Sequence, residues 1–239
     1  MLPKTRCSMK YSMKERVCAA NLDLVRHGLV ILTWGNVSEI DREAGVVAIK
    51  PSGVPYDAMK PSDMVLVDLD GKPLENGLRP SSDLATHLAI YRAFPSAGGV
   101  VHTHSSYATA WAQACRDIPN IGTTHSDHFH LAVPVTGELS PEGIDSRYEA
   151  ATGDEIVATF RRRGIDPAAN PAVLVAHHGP FAWGADAASA VENAVALEEV
   201  AKMASISFSI SPEIRMNERL VEKHYSRKHG RDAYYGQPS

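Results

Sequence analysis

Cysteine is scarce in this 239-residue chain: Cys7, Cys18 and Cys115 are the only three. Their number is odd and none belongs to a CxxC, so the sequence offers no disulfide framework and no cysteine-built zinc site. That usage fits a reducing cytoplasm. Long apolar runs are missing too, and every run falls far short of the ~20 residues that a membrane-spanning helix requires. Residues 1–20 carry Lys4, Arg6, Lys10, Lys14, Glu15 and Arg16 along their length, which leaves no apolar centre for a secretory signal. A basic excess is also absent. With a net charge of −4, the chain is not drawn to nucleic acid or to an anionic membrane. The phosphate fingerprints GxxxxGK(S/T) and GxGxxG do not occur, and neither does the HExxH of zinc proteases.

What is present is ordinary for a soluble globular enzyme, with 44% hydrophobic and 22% charged residues. The length suits one large domain or two small ones. No repeat, linker or low-complexity stretch divides it, so residues 1–239 read as a single α/β domain. Residues 10–27 form an amphipathic pattern with Val17, Ala20, Leu24 and His27 near one face and Gly28 as a stop. Leu29–Leu32, Val46–Lys50 and Asp63–Asp68 read as strands. The turn signal Asp70-Gly71-Lys72-Pro73 makes this region a meander rather than a βαβ unit. Ser81-Ser82-Asp83 caps a helix running to about Phe94. A short strand at Gly99–Val101 follows, then a helix from Ser105 to Ala114, and strand and loop over Gly122–Val135. Pro141–Arg163 and Asp186–Ile206 read as helices on either side of a strand at 172–176, and the tail from Pro212 to Gly230 is helical. The first strands lie too close together for a purely parallel sheet.

The chemistry concentrates on Val101-His102-Thr103-His104-Ser105. In a strand the side-chain period is two, which turns His102 and His104 to one face, as two imidazoles holding one metal ion require. A second apolar run, Ala172–Ala176, ends at His177-His178-Gly179-Pro180. It supplies a third imidazole, and spacing leaves His177 and His178 both open for the role. Asp83 adds a carboxylate at the helix start before the first histidines. Three neutral imidazoles with one position free describe a catalytic rather than a structural site. A cupin-type oxygenase also uses HxH, but it needs a Glu shortly after, and Ser105–Ala114 contains no acid. Three small polar turns carry Asn36, then Lys50 with Ser52 and Gly53, then Ser81 and Ser82. They read either as ordinary turns and caps or as a joint phosphate cradle. Asp127, in Thr123-Thr124-His125-Ser126-Asp127, reads as a general acid/base or a turn residue. Tyr234-Tyr235 reads as packing or as a source of a phenolic proton. His224 and His229 read as surface or interface residues.

Taken together and in order, several of these pieces resemble one family. They are Thr33-Trp34-Gly35-Asn36-Val37-Ser38, Ile49-Lys50-Pro51-Ser52-Gly53-Val54, Pro80-Ser81-Ser82-Asp83, Val101–Ser105, Gly122–Asp127, His178–Gly184, and the tail from Lys223 through Tyr234-Tyr235-Gly236-Gln237. This set is similar to the class II aldolase/epimerase/adducin-head family over about residues 13–237. The resemblance implies a three-layer α/β/α domain with a central mixed, largely antiparallel sheet, and a homotetramer with active sites between adjacent subunits. It implies a divalent metal, usually Zn2+, on His102, His104 and His178 with Asp83 beside it. It also implies phosphate contacts from Asn36, Ser52, Gly53, Ser81 and Ser82; Lys50, in the same turn as Ser52, reads as an added point charge for the anion. Asp127 and Tyr235 match an acid/base pair whose tyrosine comes from a neighbouring subunit. Aspartate rather than glutamate at position 83 points to the epimerase branch: inversion at C4 of a ketopentose phosphate by breaking and remaking C3–C4, in the cytoplasm. An aldolase on the same scaffold and a non-catalytic adducin-like module are the alternatives. Ser106-Tyr107, His128, His130 and Gly137 depart from the epimerase pattern. None is a ligand position, so they bear on finer substrate contacts and stereochemical preference.

Overall fold

A computed structural model describes residues 4–230 and 233–234, with side chains from Ser12 onward. Helix α1 (Lys4–Arg26) buries Met13, Val17, Ala20 and Leu24, the stripe that a 3.6-residue period lays along one face. The expected strand at Leu29–Leu32 does not form. Leu32 sits at φ +56° and its side chain faces solvent with that of Ile31. A four-residue apolar run has too little periodicity to separate strand from loop. The first strand starts later, inside the stretch that reads as a polar turn: β1 (Asn36–Asp41). The meander continues through β2 (Val46–Ile49) and β3 (Val65–Asp68).

Helix α2 (Leu84–Ala93), strand β4 (Gly99–His102) and helix α3 (Ser106–Gln113) follow near their expected bounds. A short helix, α4 (Thr123–Ser126), replaces the expected strand and loop. Helix α5 (Pro141–Arg163) is broken at Arg147, whose φ/ψ of −157°/50° lies outside the helical region. Strand β5 (Ala172–Leu174) then pairs with β6 (Pro180–Gly184), which the sequence disguises because it begins on a proline after a glycine. Helices α6 (Ala187–Ile210) and α7 (Glu218–His229) complete the described chain.

The six strands run β3-β2-β1-β4-β6-β5, and every strand pair is antiparallel. The parallel component reduces to one isolated bridge, Val135 to Leu174. Alternation along the strands feeds two cores. Val37, Val101, Leu174 and Ala182 face α6, where Ala190, Val191, Ala194 and Leu197 cover them. Val47, Ile49, Val100, Phe181 and Trp183 face α2 and α5, with Tyr91, Ile156 and Phe160. Against the outer strands, Val46, Ala48 and Leu66 pack on Met13 and Val17 of α1. Helices thus cover both sheet faces, giving a three-layer α/β/α domain. The N-terminus of α6 comes so near the sheet that a Cβ at Gly99 would meet the Asp186 carbonyl oxygen at 2.3 Å. Only glycine fits there.

Candidate metal and sugar-phosphate site

The register of the central strands assembles the site. Asn36 of β1 stands opposite His102 of β4, and His102 stands opposite Phe181 of β6. Three neighbouring strands thereby present one row of side chains. The Phe181 ring stacks on the His102 imidazole at 4.2 Å between centroids. Pro180 O accepts a hydrogen bond of 3.0 Å from His102 Nδ1, which fixes the tautomer with Nε2 as the free lone pair. Gly35 lets β1 approach at this point, since a Cβ there would lie 2.8 Å from the His102 carbonyl oxygen.

The strand ends at His102, yet His104 still turns to the same side: the two Nε2 atoms are 3.1 Å apart. His178 enters from the turn between β5 and β6. Its neighbour His177 has φ +60°, so the two consecutive side chains part, and His178 alone reaches the cluster. The three rings lie 4.8–5.0 Å from one another. All three imidazoles are held below their ordinary pKa by burial, His102 to about 3, and so present lone pairs. A tetrahedral ion with nitrogen bonds of about 2.0–2.1 Å separates its ligand nitrogens by roughly 3.3 Å, close to the 3.1 Å between His102 and His104 Nε2, and the three donor nitrogens all lie within 4.8 Å of one another. The donor set fits a divalent metal.

Asp83 stands beside the three histidines but outside their converging nitrogens. Its Oδ2 accepts from Asn36 Nδ2 at 2.6 Å, and Ser81 Oγ accepts from the same nitrogen at 3.0 Å. Burial opposes ionisation of Asp83, but His102, His87 and the Asn36 bond outweigh it and hold the carboxyl below its usual range. Asn36 Oδ1 is buried without a partner, an acceptor left facing the site. Asp83 does not cap α2 with its side chain, as the sequence suggests.

The polar turns form one wall. An antiparallel bridge joins Pro51 to Pro80, and Ser81 N–H donates to Lys50 O at 2.9 Å. Lys50, Ser52 and Gly53 are thus fastened to Ser81 and Ser82. Lys50 is only 2% exposed, and burial lowers its pKa. A single cavity of about 550 Å³ is lined by this wall, Asn36, Asp83 and the three histidines. Tyr148 and Glu149, which the sequence reading missed, line it as well. The break at Arg147 lies directly before them in α5, and Tyr148 Oη is 3.3 Å from His178 Nδ1. Nothing in the residue pattern marks this pair off from a solvated helix face.

Asp127 does not line the cavity of its own chain. It accepts from Arg227 Nη2 at 2.6 Å, from Arg227 Nε at 3.0 Å and from His224 Nδ1 at 3.1 Å, which ties α4 to α7. Burial works to raise its pKa, but the Arg227 and His224 bonds prevail and keep it low. His229 Nε2–H reaches Asp127 O at 3.0 Å. Tyr235 lies outside the described residues.

Two further buried histidines predict a pH response. His87, bonded through Nδ1 to Ser38 Oγ at 2.7 Å, and His125, bonded to Leu131 O at 2.9 Å, are both pushed down to about 4 by burial. The unfolded chain takes up these protons below pH ~6.5, and the folded chain resists until about 4. Their stabilisation is therefore complete above pH ~6.5 and lost as the pH falls towards 4, at about 1.4 kcal/mol per pH unit for each histidine. Urea midpoints are expected to hold level from pH 7.5 to about 6.5 and to fall steadily from there to pH 5, and a flat profile throughout would refute this.

Residues 15–205 match the class II aldolase and adducin N-terminal domain family. A protein of Salmonella paratyphi C named L-ribulose-5-phosphate 4-epimerase UlaF is 56% identical over 226 residues, covering 94% of this chain and 98% of that one. Its counterpart in Salmonella typhi is 55% identical over the same coverage. The solved structure of an L-fuculose 1-phosphate aldolase superposes with a TM-score of 0.76 at 24% identity, covering 90% of this chain and 95% of that one. That likeness carries the fold, and the sequence identities carry the kinship: the chain belongs to the class II aldolase and adducin family.

Proposed function

We propose that this chain is a divalent-metal-dependent epimerase interconverting L-ribulose 5-phosphate and D-xylulose 5-phosphate. The observation that carries the reading is that three lone-pair imidazoles and a buried lysine with a serine-lined turn share one cavity. A sugar phosphate needs both a cation site and an anion site. The near-full-length kinship to proteins named for this activity supplies the substrate.

His102, His104 and His178 would hold the ion, zinc or another divalent cation. Bound there, it supplies Lewis-acid stabilisation of the negative charge that develops when C3–C4 breaks. Lys50, Asn36, Ser52, Gly53, Ser81 and Ser82 anchor the phosphate while the cleaved aldehyde fragment turns. Asp83 orients the Asn36 amide. Asp127 and Tyr235 take and return the C4 hydroxyl proton on the two faces of the fragment. Asp127 lies away from its own chain's cavity, which supports a homotetramer whose sites are completed by a neighbouring subunit. The cellular place is the cytoplasm. Among the described residues no helix is long and apolar enough to cross a membrane.

Incubating the metal-loaded protein with L-ribulose 5-phosphate and following products by NMR tests the proposal. D-xylulose 5-phosphate without free cleavage products is expected. Free glycolaldehyde phosphate in quantity would make the chain an aldolase, and no turnover would reject both activities. Lys50→Met, which conserves bulk and removes charge, is expected to raise KM by roughly 10- to 100-fold with a smaller change in kcat. An unchanged KM would remove Lys50 from the phosphate contacts.

A further inference from the structure

Outside the cavity, His177 belongs to a second cluster of ligand side chains. Cys115 Sγ is 3.3 Å from His177 Nε2, and His177 Nε2 is 3.3 Å from Glu138 Oε1. The three donor atoms lie within 4.8 Å of one another, and all three residues are exposed. They come from the end of α3, from the segment after Thr136, and from the turn between β5 and β6.

The backbone brings these segments together independently of the side chains. The Ala112 carbonyl accepts from both the Cys115 N–H, at 3.1 Å, and the His177 N–H, at 3.0 Å. Two residues before Glu138, Thr136 N–H donates to Leu174 O at 2.8 Å, and Thr136 Oγ1 accepts from Ala176 N–H at 3.0 Å. Cys115 and His177 both hold left-handed φ values, +51° and +60°, which non-glycine residues keep only where their surroundings impose it. Two ligand backbones are thus fixed in place, and Glu138 Oε1 already stands within 3.3 Å of His177 Nε2.

We propose that Cys115, Glu138 and His177 form a second metal site, taking a borderline-soft divalent transition ion such as zinc or cobalt. Thiolate, imidazole and carboxylate are each zinc ligands, and three of them leave a position open for water. The thiolate distinguishes this site from the three-histidine cluster, which offers no sulfur. Hard ions such as magnesium have no use for sulfur, whereas zinc and cobalt accept it. Because His177 and His178 are consecutive, an ion here braces the turn that carries His178 into the cavity. Binding takes the thiolate form and releases a proton, so affinity rises with pH.

Sulfur also gives the test its signature. Cobalt(II) titrated into the full-length, metal-free protein is expected to fill two sites, one of them with a near-ultraviolet thiolate-to-cobalt charge-transfer band. Cys115→Ser should abolish that band, whereas Cys7→Ser, Cys18→Ser and His102→Asn should retain it. Glu138→Gln should weaken the banded site by about 10-fold or more, since even an outer-shell partner is worth that much. Magnesium in excess should not displace it. Absence of the band, its survival in Cys115→Ser, or its growth only at cobalt far above stoichiometric, which marks adventitious surface binding, would each overturn the proposal. Survival of the band in His102→Asn keeps this outcome separate from that of the epimerase reading.

Discussion

His102→Asn is expected to release the divalent ion and lower turnover by about 10³-fold or more, the scale of losing several kcal/mol of charge stabilisation. His102 sits at the end of the central strand, 1% exposed, with its ring clamped by Phe181 and its Nδ1 spent on Pro180 O. Those contacts aim Nε2 at the point where His104 and His178 converge. An asparagine side chain is too short to reach it. Asn36, Asp83 and Ser81 keep their mutual hydrogen bonds without the imidazole, so the variant should fold and retain the polar wall of the cavity. Metal content after dialysis, read by elemental analysis, and steady-state turnover together decide the matter. Stoichiometric metal with full activity would remove His102 from the site.

Much of this geometry was legible in the residues because strands impose a simple rule. A period of two turns His102 and His104 to one face, where they stand 3.1 Å apart although the strand stops at His102, and Ser81-Ser82 read at the start of the helix they precede. What sequence spacing alone could not resolve was the His177 and His178 pair. The answer depends on a single backbone angle, the left-handed φ of His177, and β-branching or hydropathy gives no sign of it. The strand at Leu29–Leu32 failed for a related reason. Apolar character suggests burial, yet Ile31 and Leu32 face solvent, and hydrogen-bonded pairing begins only where Asn36 meets His102. β6 was hidden behind Gly179-Pro180 because proline is read as an interruption, although the first residue of a strand tolerates it. Tyr148 and Glu149 escaped because their placement follows a break in α5 at Arg147, a tertiary effect with no local signature. The cavity therefore combines parts that sequence periodicity announces with parts that only packing delivers.

Asp127→Asn is expected to spare metal binding and slow turnover by about 10²-fold or more, the usual weight of a positioned general acid/base. The substitution is close to isosteric, and Asn still accepts from Arg227 or His224, so the tie between α4 and α7 is weakened rather than lost. A purely structural role predicts something else: a lower melting temperature with little change in the chemical step. Melting and kcat measured on the same sample separate the two. The location of Asp127, outside its own cavity and on the α4–α7 face, sharpens the test further. If each site takes its histidines from one subunit and Asp127 from the next, His102→Asn and Asp127→Asn are defective in different halves of the site. Unfolding and refolding the two inactive variants together should then restore activity, to roughly a quarter of the native value under random assortment in a cyclic oligomer. Each variant refolded alone should stay inactive. Activity absent from the mixture, with both variants shown to co-assemble, would mean that Asp127 serves the cavity of its own chain or none.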